Sequence, residues 1–355
     1  MSSDHALILA VDGGGSKTDV ALLQSDGELL SAVRGPGSSP EHLGLEKALA
    51  VVERVIEAVA ADAGVALGDG RRAEVGAFFM AGADLAEDER RLGTALEAHG
   101  WADRVHLAND GFALLWAATG GEYGIACAVG TGMNCVGRLE DGRRAWFPAL
   151  GAVTGDWGGG RDIGLAALGV AVRAEDRRGP ATGLSAAIAS HFGCDTATEV
   201  AVAVQKRRID LFRLRELAPI VLQAARLGDP EAVAIFERQG SAVVTFVRGA
   251  LLQLGVASDP VDIVLGGSIM VAAGSLFVDG VREEIRELAP RARVVVCRDR
   301  PVVGAAIAGL EMVGSDPVAA ARVRAVLDES RIRVVSDLNG GPPPSTGPVP
   351  PLLLP

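Results

Sequence analysis

Residues 7–18 read Leu-Ile-Leu-Ala-Val-Asp-Gly-Gly-Gly-Ser-Lys-Thr, an apolar strand pattern that runs into an aspartate, three glycines and three polar side chains. Glycines carry no Cβ, so the backbone can turn sharply and present its N–H groups to an anion. Asp12 stands at the strand end, where a hard cation such as Mg²⁺ could be held through water. The stretch predicts a site for a nucleoside triphosphate and its metal ion. The candidate phosphate ligands are Gly13, Gly14, Gly15, Ser16, Lys17 and Thr18.

Two common glycine motifs do not fit this stretch. The spacing is not that of a P-loop, and no helix pattern opens after the glycines as a dinucleotide fingerprint requires. Residues 19–24 and 28–34 instead continue as two strands, joined by the hairpin signal Asp26-Gly27. Taken alone, this meander is also compatible with an ordinary β-hairpin.

A second copy of the pattern occurs in the middle of the chain. Residues 123–129 form an apolar strand pattern, Gly130-Thr131-Gly132 a glycine turn, and residues 134–147 two further strands around Asp141-Gly142. Because the two copies lie far apart in sequence, we expect two domains whose glycine loops face each other. Strands that alternate with helical patterns predict an α/β fold.

The remaining pattern predicts the order of elements along the chain. Helices are expected at 41–62, 88–99, 112–118, 302–313 and 317–328, and further strands at 74–80, 104–108, 261–265 and 294–297. The expected units are a domain at 1–119, a second at 120–313 with a helical insertion at about 165–255, a closing helix at 314–335 and a disordered Pro-rich tail at 336–355.

Composition limits the classes of partner. The chain has 355 residues, a formal net charge of −11 and a pI of about 5.0, which disfavours nucleic acid and acidic membranes. No apolar stretch approaches the roughly 18 residues of a membrane span, and no secretory leader is apparent, so we expect a cytoplasmic protein. Its four cysteines are scattered without a zinc pattern and are expected to be structural.

The chemically useful side chains follow predicted strands, as ligand-binding residues of open α/β sheets do. Asp12, Asp84, Asp110, Thr131 and Ser268 all obey this rule. Asp110 is the candidate general base for phosphoryl transfer to a hydroxyl; it could also cap the helix that follows, and the two roles do not exclude each other. Asp84 could instead satisfy its own turn.

A glycine-dense segment supplies one further carboxylate. Asp156 lies in Thr-Gly-Asp-Trp-Gly-Gly-Gly at 154–160, where it could bind vicinal hydroxyls of a polyol or belong to a plain flexible loop. Trp157 could flank a ligand or simply pack.

Six motifs together resemble a known family. VDGGGSKT at 11–18, MAGAD at 80–84, LANDG at 107–111, VGTGMNC at 129–135, TGDWGGG at 154–160 and LGGS at 265–268 are similar to the BadF/BadG/BcrA/BcrD group of the sugar kinase–actin–heat-shock ATPase superfamily, and within it to N-acetylglucosamine kinases. The resemblance implies two actin-like (ribonuclease H-like) domains around a cleft for MgATP and a sugar. It implies phosphorylation of an amino sugar, N-acetylglucosamine at O6 above all, and we expect a homodimer.

The resemblance also assigns roles to residues. Asp110 matches the catalytic base, 13–18 the first phosphate loop and 130–134 the second. The second phosphate loop and the adenosine loop contribute Gly130, Thr131, Gly132, Gly266, Gly267 and Ser268. The sugar-side residues are Ser39, Gly82, Asp84, Asn109, Asp110, Asn134, Asp156 and Gly160.

Departures from the family pattern fall on the sugar side. Ser39 stands where Asn is usual, Trp157 where Glu is usual, Gly159 where Ser is usual, and 149–152 replace a Gly-Trp-Gly-His run. Two alternatives therefore stay open: an ATPase that activates a dehydratase through an iron–sulfur cluster, and a non-catalytic sugar sensor. The first requires a Gly-Gly-Gln-Asp motif, which this sequence lacks. The retained Asp110, Lys17 and glycine loops argue against the second.

Overall fold

Two β-sheets, each flanked by helices, form the protein in a computed structural model that describes residues 5–67 and 72–335. The predicted α/β class is confirmed. The first sheet contains β1 Leu7–Gly13, β2 Lys17–Gln24, β3 Leu29–Pro36, β4 Ala73–Met80, β5 Ala102–Asn109 and β11 Arg333–Val334. The second contains β6 Gly124–Val129, β7 Met133–Arg138, β8 Arg144–Ala145, β9 Asp262–Gly266 and β10 Arg293–Val296.

The helices connect and cover these sheets. They are α1 Pro40–Leu43, α2 Leu45–Asp62, α3 Ala86–His99, α4 Asp110–Thr119, α5 Gly160–Glu175, α6 Leu184–Phe192, α7 Ala197–Gln205, α8 Ala218–Arg226, α9 Pro230–Leu254, α10 Ser268–Ala273, α11 Ser275–Leu288, α12 Pro301–Met312 and α13 Pro317–Val326. Short 3₁₀ turns lie at Gly151–Val153, Leu211–Leu217 and Glu329–Arg331. None of the helices in the described ranges combines the length and the apolar content that a membrane span requires.

The two sheets share one strand plan. The first runs β11-β3-β2-β1-β4-β5 and the second β8-β7-β6-β9-β10. In each sheet, three consecutive strands form an antiparallel meander. The other edge of the first meander strand pairs in parallel with a fourth strand, which pairs in parallel with a fifth. The hairpin glycines predicted from sequence adopt the required left-handed conformation, with φ +82° at Gly27 and +88° at Gly142. The duplication read from the sequence is therefore a duplication of topology.

Burial explains why these segments form their elements. Every residue of β1 is buried, as expected for a central strand covered on both faces. In α2, buried residues recur at helical spacing and pack against the first sheet. The predicted helix 41–62 is wrong in one respect, because Gly44 at φ +78° separates α1 from α2. The sequence analysis did not predict α10 and α11.

The last segment of the chain returns to the first sheet. Helix α12 packs against α4 and against β1, and β11 pairs in parallel with β3. Gly304 allows the crossing with α4, because a Cβ there would lie 1.8 Å from the Ala113 carbonyl oxygen. The division at 119/120 and 313/314 remains a proposal, and this packing favours grouping 301–335 with the first half. The predicted disordered tail at 336–355 lies outside the described residues.

Candidate active site

A cleft of about 560 Å³ lies where the carboxyl ends of the parallel strands of both sheets meet. Fifteen of the residues singled out from the sequence line it. They are Asp12, Gly14, Gly15, Ser16, Lys17, Ser39, Gly82, Asp84, Asp110, Gly130, Thr131, Gly132, Asn134, Gly267 and Ser268. The other six, Gly13, Thr18, Asn109, Asp156, Gly160 and Gly266, lie behind or beside its wall.

The first glycine loop turns between β1 and β2 and offers its backbone to the cleft. The Gly14 N–H donates to the Lys17 carbonyl at 2.9 Å, which closes the turn. Thr18 faces away: its hydroxyl is fully buried, donates to the Pro36 carbonyl at 2.7 Å and lies 2.8 Å from the Ser38 hydroxyl. We therefore reassign Thr18 from phosphate binding to fixing the loop between β3 and α1.

Asp12 has the properties of a ligand for a hard cation. Its side chain is 5% exposed, lines the cleft and has no hydrogen-bond donor assigned to it among the described residues. Burial raises its pKa to about 7, the charge of Lys17 opposes that rise, and Asp19 adds to it. Within 5–67 and 72–335 no three His, Cys, Asp or Glu side chains cluster as a cation cage. A single buried carboxylate suits Mg²⁺, which usually keeps several waters.

Asp84, Asn109 and Asn134 form a hydrogen-bonded group that joins the two halves. The Asn109 amide donates to Asp84 Oδ1 at 2.8 Å, and the Asn134 amide donates to the same oxygen at 3.1 Å. The Trp146 indole N–H also donates to the Asp84 carbonyl oxygen. Burial, with a contribution from Glu41, raises the pKa of Asp84 to about 6.

Asp110 is the first residue of α4 and does not cap it. The cap is Asn109, whose Oδ1 accepts from the Gly111 N–H at 2.8 Å. The capping interpretation of Asp110 is therefore wrong, and its side chain lines the cleft. Burial raises the pKa of Asp110 to about 8, with further contributions from the charges of Asp84 and Asp12. A carboxyl group with a raised pKa in a cleft is a candidate acid or base.

The second glycine loop and the segment 158–160 pack directly against each other. The N–H of Gly160 donates to the Gly130 carbonyl at 2.8 Å, and a Cβ at Gly159 would lie 2.4 Å from the Gly132 backbone. Gln239, which is fully buried, accepts from the Gly159 N–H at 2.7 Å. The glycines of 158–160 therefore serve backbone packing, and Gly160 is buried behind the second phosphate loop.

Asp156 lies in a neighbouring cavity of about 440 Å³ that shares Thr131, Gly132 and Met133 with the main cleft. Trp157 lines this cavity too, with the Arg238 guanidinium 4.1 Å from its ring centroid. The structure does not bring Asp156 into the wall that holds Asp110. Trp157 packs against the core of the second half, and a role beside a ligand stays a prediction.

The loop at Gly266 and Gly267, which the sequence predicts, is accompanied by a segment that the sequence analysis missed. Gly267 passes close to the second sheet, since a Cβ there would lie 2.3 Å from the Val129 carbonyl oxygen, and Gly266 approaches Leu114. Beside them, the segment 297–301 follows β10 and lines the cleft. The position of this segment directly after a parallel strand could have indicated a site. It carries no glycine motif, which is why the sequence analysis did not select it.

The profile of the BadF/BadG/BcrA/BcrD ATPase family matches residues 9–309. The chain belongs to this family. It is 24% identical over 303 residues to the N-acetylmuramic acid/N-acetylglucosamine kinase of Clostridium acetobutylicum, covering 84% of this chain and 97% of that one. It is also 24% identical to the N-acetyl-D-glucosamine kinase of Dictyostelium discoideum, covering 86% and 98%.

Solved structures extend the similarity to the fold. A Chromobacterium violaceum protein provisionally named as an N-acetylglucosamine kinase superposes with a TM-score of 0.68 at 26% identity, covering 86% of this chain and 99% of that one. A ROK family glucokinase from Streptomyces griseus, solved with glucose and AMPPNP, gives a TM-score of 0.50 at 18% identity over 86% and 99%. The predicted actin-like fold is confirmed.

The four cysteines bear on the alternative of an ATPase with an iron–sulfur cluster, which would need thiolate ligands. Cys127 and Cys135 lie opposite each other on β6 and β7 and are buried, and Cys194 is partly buried in the helical insertion. Cys297 is buried at the cleft wall, where burial raises the pKa of its thiol to about 11. A thiol held protonated is a poor nucleophile and metal ligand.

Proposed function

We propose that the protein is an ATP-dependent carbohydrate kinase, that its acceptor is N-acetylglucosamine, and that the phosphoryl group goes to O6. The observation that carries the proposal is the position of Asp110, a partly buried carboxylate in the cleft between two glycine loops. The names of the relatives support the amino sugar. The family resemblance supports O6.

The cleft residues divide the chemistry between them. The N–H groups of the two glycine loops and the Lys17 ammonium would bind the phosphates, because such donors stabilise anionic oxygens. Mg²⁺ held at Asp12 through water would offset phosphate charge during transfer. The ionised form of Asp110, whose share grows as the pH approaches its pKa of about 8, would accept the proton of the sugar hydroxyl as that oxygen attacks the γ-phosphorus.

The group of Asp84, Asn109 and Asn134 would orient the acceptor. These side chains already hydrogen-bond one another across the two halves, so their rotamers are restrained before a sugar binds. Ser39 adds a hydroxyl that is 2% exposed and lacks a hydrogen-bond partner among the described residues. A buried hydroxyl without a partner is costly unless a ligand satisfies it.

The test is ADP release from MgATP with a panel of N-acetylglucosamine, glucosamine, N-acetylmannosamine, N-acetylmuramic acid and glucose. We expect stimulation by N-acetylglucosamine, and NMR of the product should place the phosphate on O6. The matched control is 6-deoxy-N-acetylglucosamine, which lacks the acceptor oxygen and should give no phosphorylated sugar. No stimulation by any sugar would reject the kinase, and stimulation by another sugar alone would reject only the substrate.

A further inference from the structure

A chain of five alternating charges runs from the first phosphate loop along the first sheet. The Lys17 ammonium donates to Asp19 Oδ2 at 2.8 Å, and Arg34 donates to both Asp19 oxygens at 2.6 and 2.8 Å. A third nitrogen of Arg34 donates to Glu329 at 2.6 Å, and Glu329 pairs in turn with Arg300 on the cleft wall. The motif-based interpretation assigns a role to Lys17 alone among these residues.

Asp19 is the buried centre of this chain. Its side chain is 1% exposed, whereas that of Lys17 is 33% exposed and lines the cleft. Burial opposes ionisation of Asp19, but the hydrogen bond from Arg34 and the charge of Lys17 hold its pKa below the usual value. Asp19 is therefore a buried anion with two cations, of which only Lys17 lies in the cleft wall.

Lys17 thus faces two competing anions when a nucleotide arrives, namely Asp19 and a phosphate. A buried carboxylate that loses its counter-ion is strongly unfavourable, so Lys17 can turn to the phosphate only if another cation remains on Asp19. Arg34 has the required geometry, because its planar fork satisfies both carboxylate oxygens at once.

We propose that Arg34 is a positioning residue for nucleotide binding: it neutralises Asp19 by itself and so frees Lys17 to bind phosphate. The proposal rests on the proposed function only in taking a nucleoside triphosphate as the ligand. Glu329 fixes the Arg34 guanidinium from the far side and so keeps its fork aimed at Asp19.

Combined substitutions of Asp19 and Arg34 separate this positioning role from a purely structural one. In Arg34→Gln, Lys17 becomes the sole counter-ion of Asp19 and is withheld from the phosphate, which weakens nucleotide binding. In the double variant Asp19→Asn with Arg34→Gln, the buried charge is gone and Lys17 is free again. A purely structural role for Arg34 would make the double variant bind no better than the single one.

The experiment is isothermal titration calorimetry of MgATP into the full chain without sugar. We expect Arg34→Gln to raise Kd roughly tenfold or more, the scale of one charge-assisted hydrogen bond. The double variant should return to within about threefold of the wild type. Arg293→Gln is the matched control, because Arg293 also forms a bidentate cross-strand pair, with Asp262 on the second sheet; its Kd should not change.

A substitute variant covers the case in which Arg34→Gln does not fold. Arg34→Lys retains the charge without the fork and should raise Kd above the wild-type value, but by less than the roughly tenfold expected for Arg34→Gln. A double variant as weak as Arg34→Gln, or an unchanged Kd in both Arg34 variants, overturns the positioning role alone. Absence of MgATP binding by the wild type overturns the proposed function and this inference together.

Discussion

Asp110 does not cap α4, because the neighbouring Asn109 does. Because Asn109 caps α4, the Asp110→Asn substitution removes the candidate base while leaving the cap in place. We expect kcat for sugar phosphorylation to fall by roughly 10²–10⁴-fold with MgATP affinity largely retained. Steady-state kinetics and nucleotide titration measure the two effects, with the exposed Asp279→Asn on α11 as control. A near wild-type kcat would remove Asp110 from the mechanism.

The same residue makes stability depend on pH. The pKa of Asp110 rises from 3.8 in the unfolded chain to about 8 in the folded one, so the native state holds an extra proton within this window. Unfolding releases that proton, and stability therefore falls as pH rises through the window. Asp110→Asn should raise Tm relative to wild type, by about 1–2 °C for each kcal/mol relieved in a chain of 355 residues. Calorimetry should find a larger gain at pH 8.5 than at pH 5.5; an equal gain would contradict the shift.

Some site residues could be read from the sequence and others could not, for physical reasons. Glycine loops and strand-end acids such as Asp12 are visible because their function requires a residue type at a fixed place after a strand. The inward turn of Thr18 was hidden, because it depends on Pro36 and Ser38 on another strand's end. Whether Asn109 or Asp110 caps α4 depends on one residue of helix register, which spacing alone does not fix.

At the scale of elements, α12 and α4 pack closely where Gly304 of α12 meets α4. A methyl group at Gly304 would meet the backbone of Ala113, which cannot move aside without shifting α4. Gly304→Ala should therefore destabilise the protein by about 1–3 kcal/mol. Gly280→Ala is the matched control, because Gly280 lies in α11 with open space around its Cβ position. It should stabilise by about 0.5–1 kcal/mol. Urea unfolding compares them, and similar effects in both would contradict the close crossing.

The helices between residues 268 and 288 were harder to predict than the strands of the two meanders. The duplicated meanders carry turn signals and central apolar strands that any α/β sheet needs, and both appear in the structure. Helix α10 begins at Ser268, directly after Gly266 and Gly267, and only Gly274 at φ +59° separates it from α11. The short α10 and this glycine interrupt the apolar period on which a sequence-based assignment depends.

At the scale of the molecule, the candidate site is divided between two halves. The glycine loop at 14–17 and Asp110 come from one half, and the loops at 130–132 and 267–268 from the other. Sugar and nucleotide together should close the cleft and exclude water from the γ-phosphate. We expect N-acetylglucosamine with a non-hydrolysable ATP analogue to lower the radius of gyration in small-angle scattering, and ATP hydrolysis without sugar to be a small fraction of the stimulated rate. An unchanged radius with equal hydrolysis rates would instead describe a rigid ATPase.

The return of 301–335 to the first sheet has a consequence for folding during synthesis. The ribosome makes β1 before α12, the helix that covers it, and before β11, the strand that extends its sheet. Until then an apolar face of the first half has no cover, and such faces bind chaperones or other nascent chains. The first half therefore completes its core and sheet only after residues 301–335 have been made, and a chain stalled before Pro301 lacks this cover.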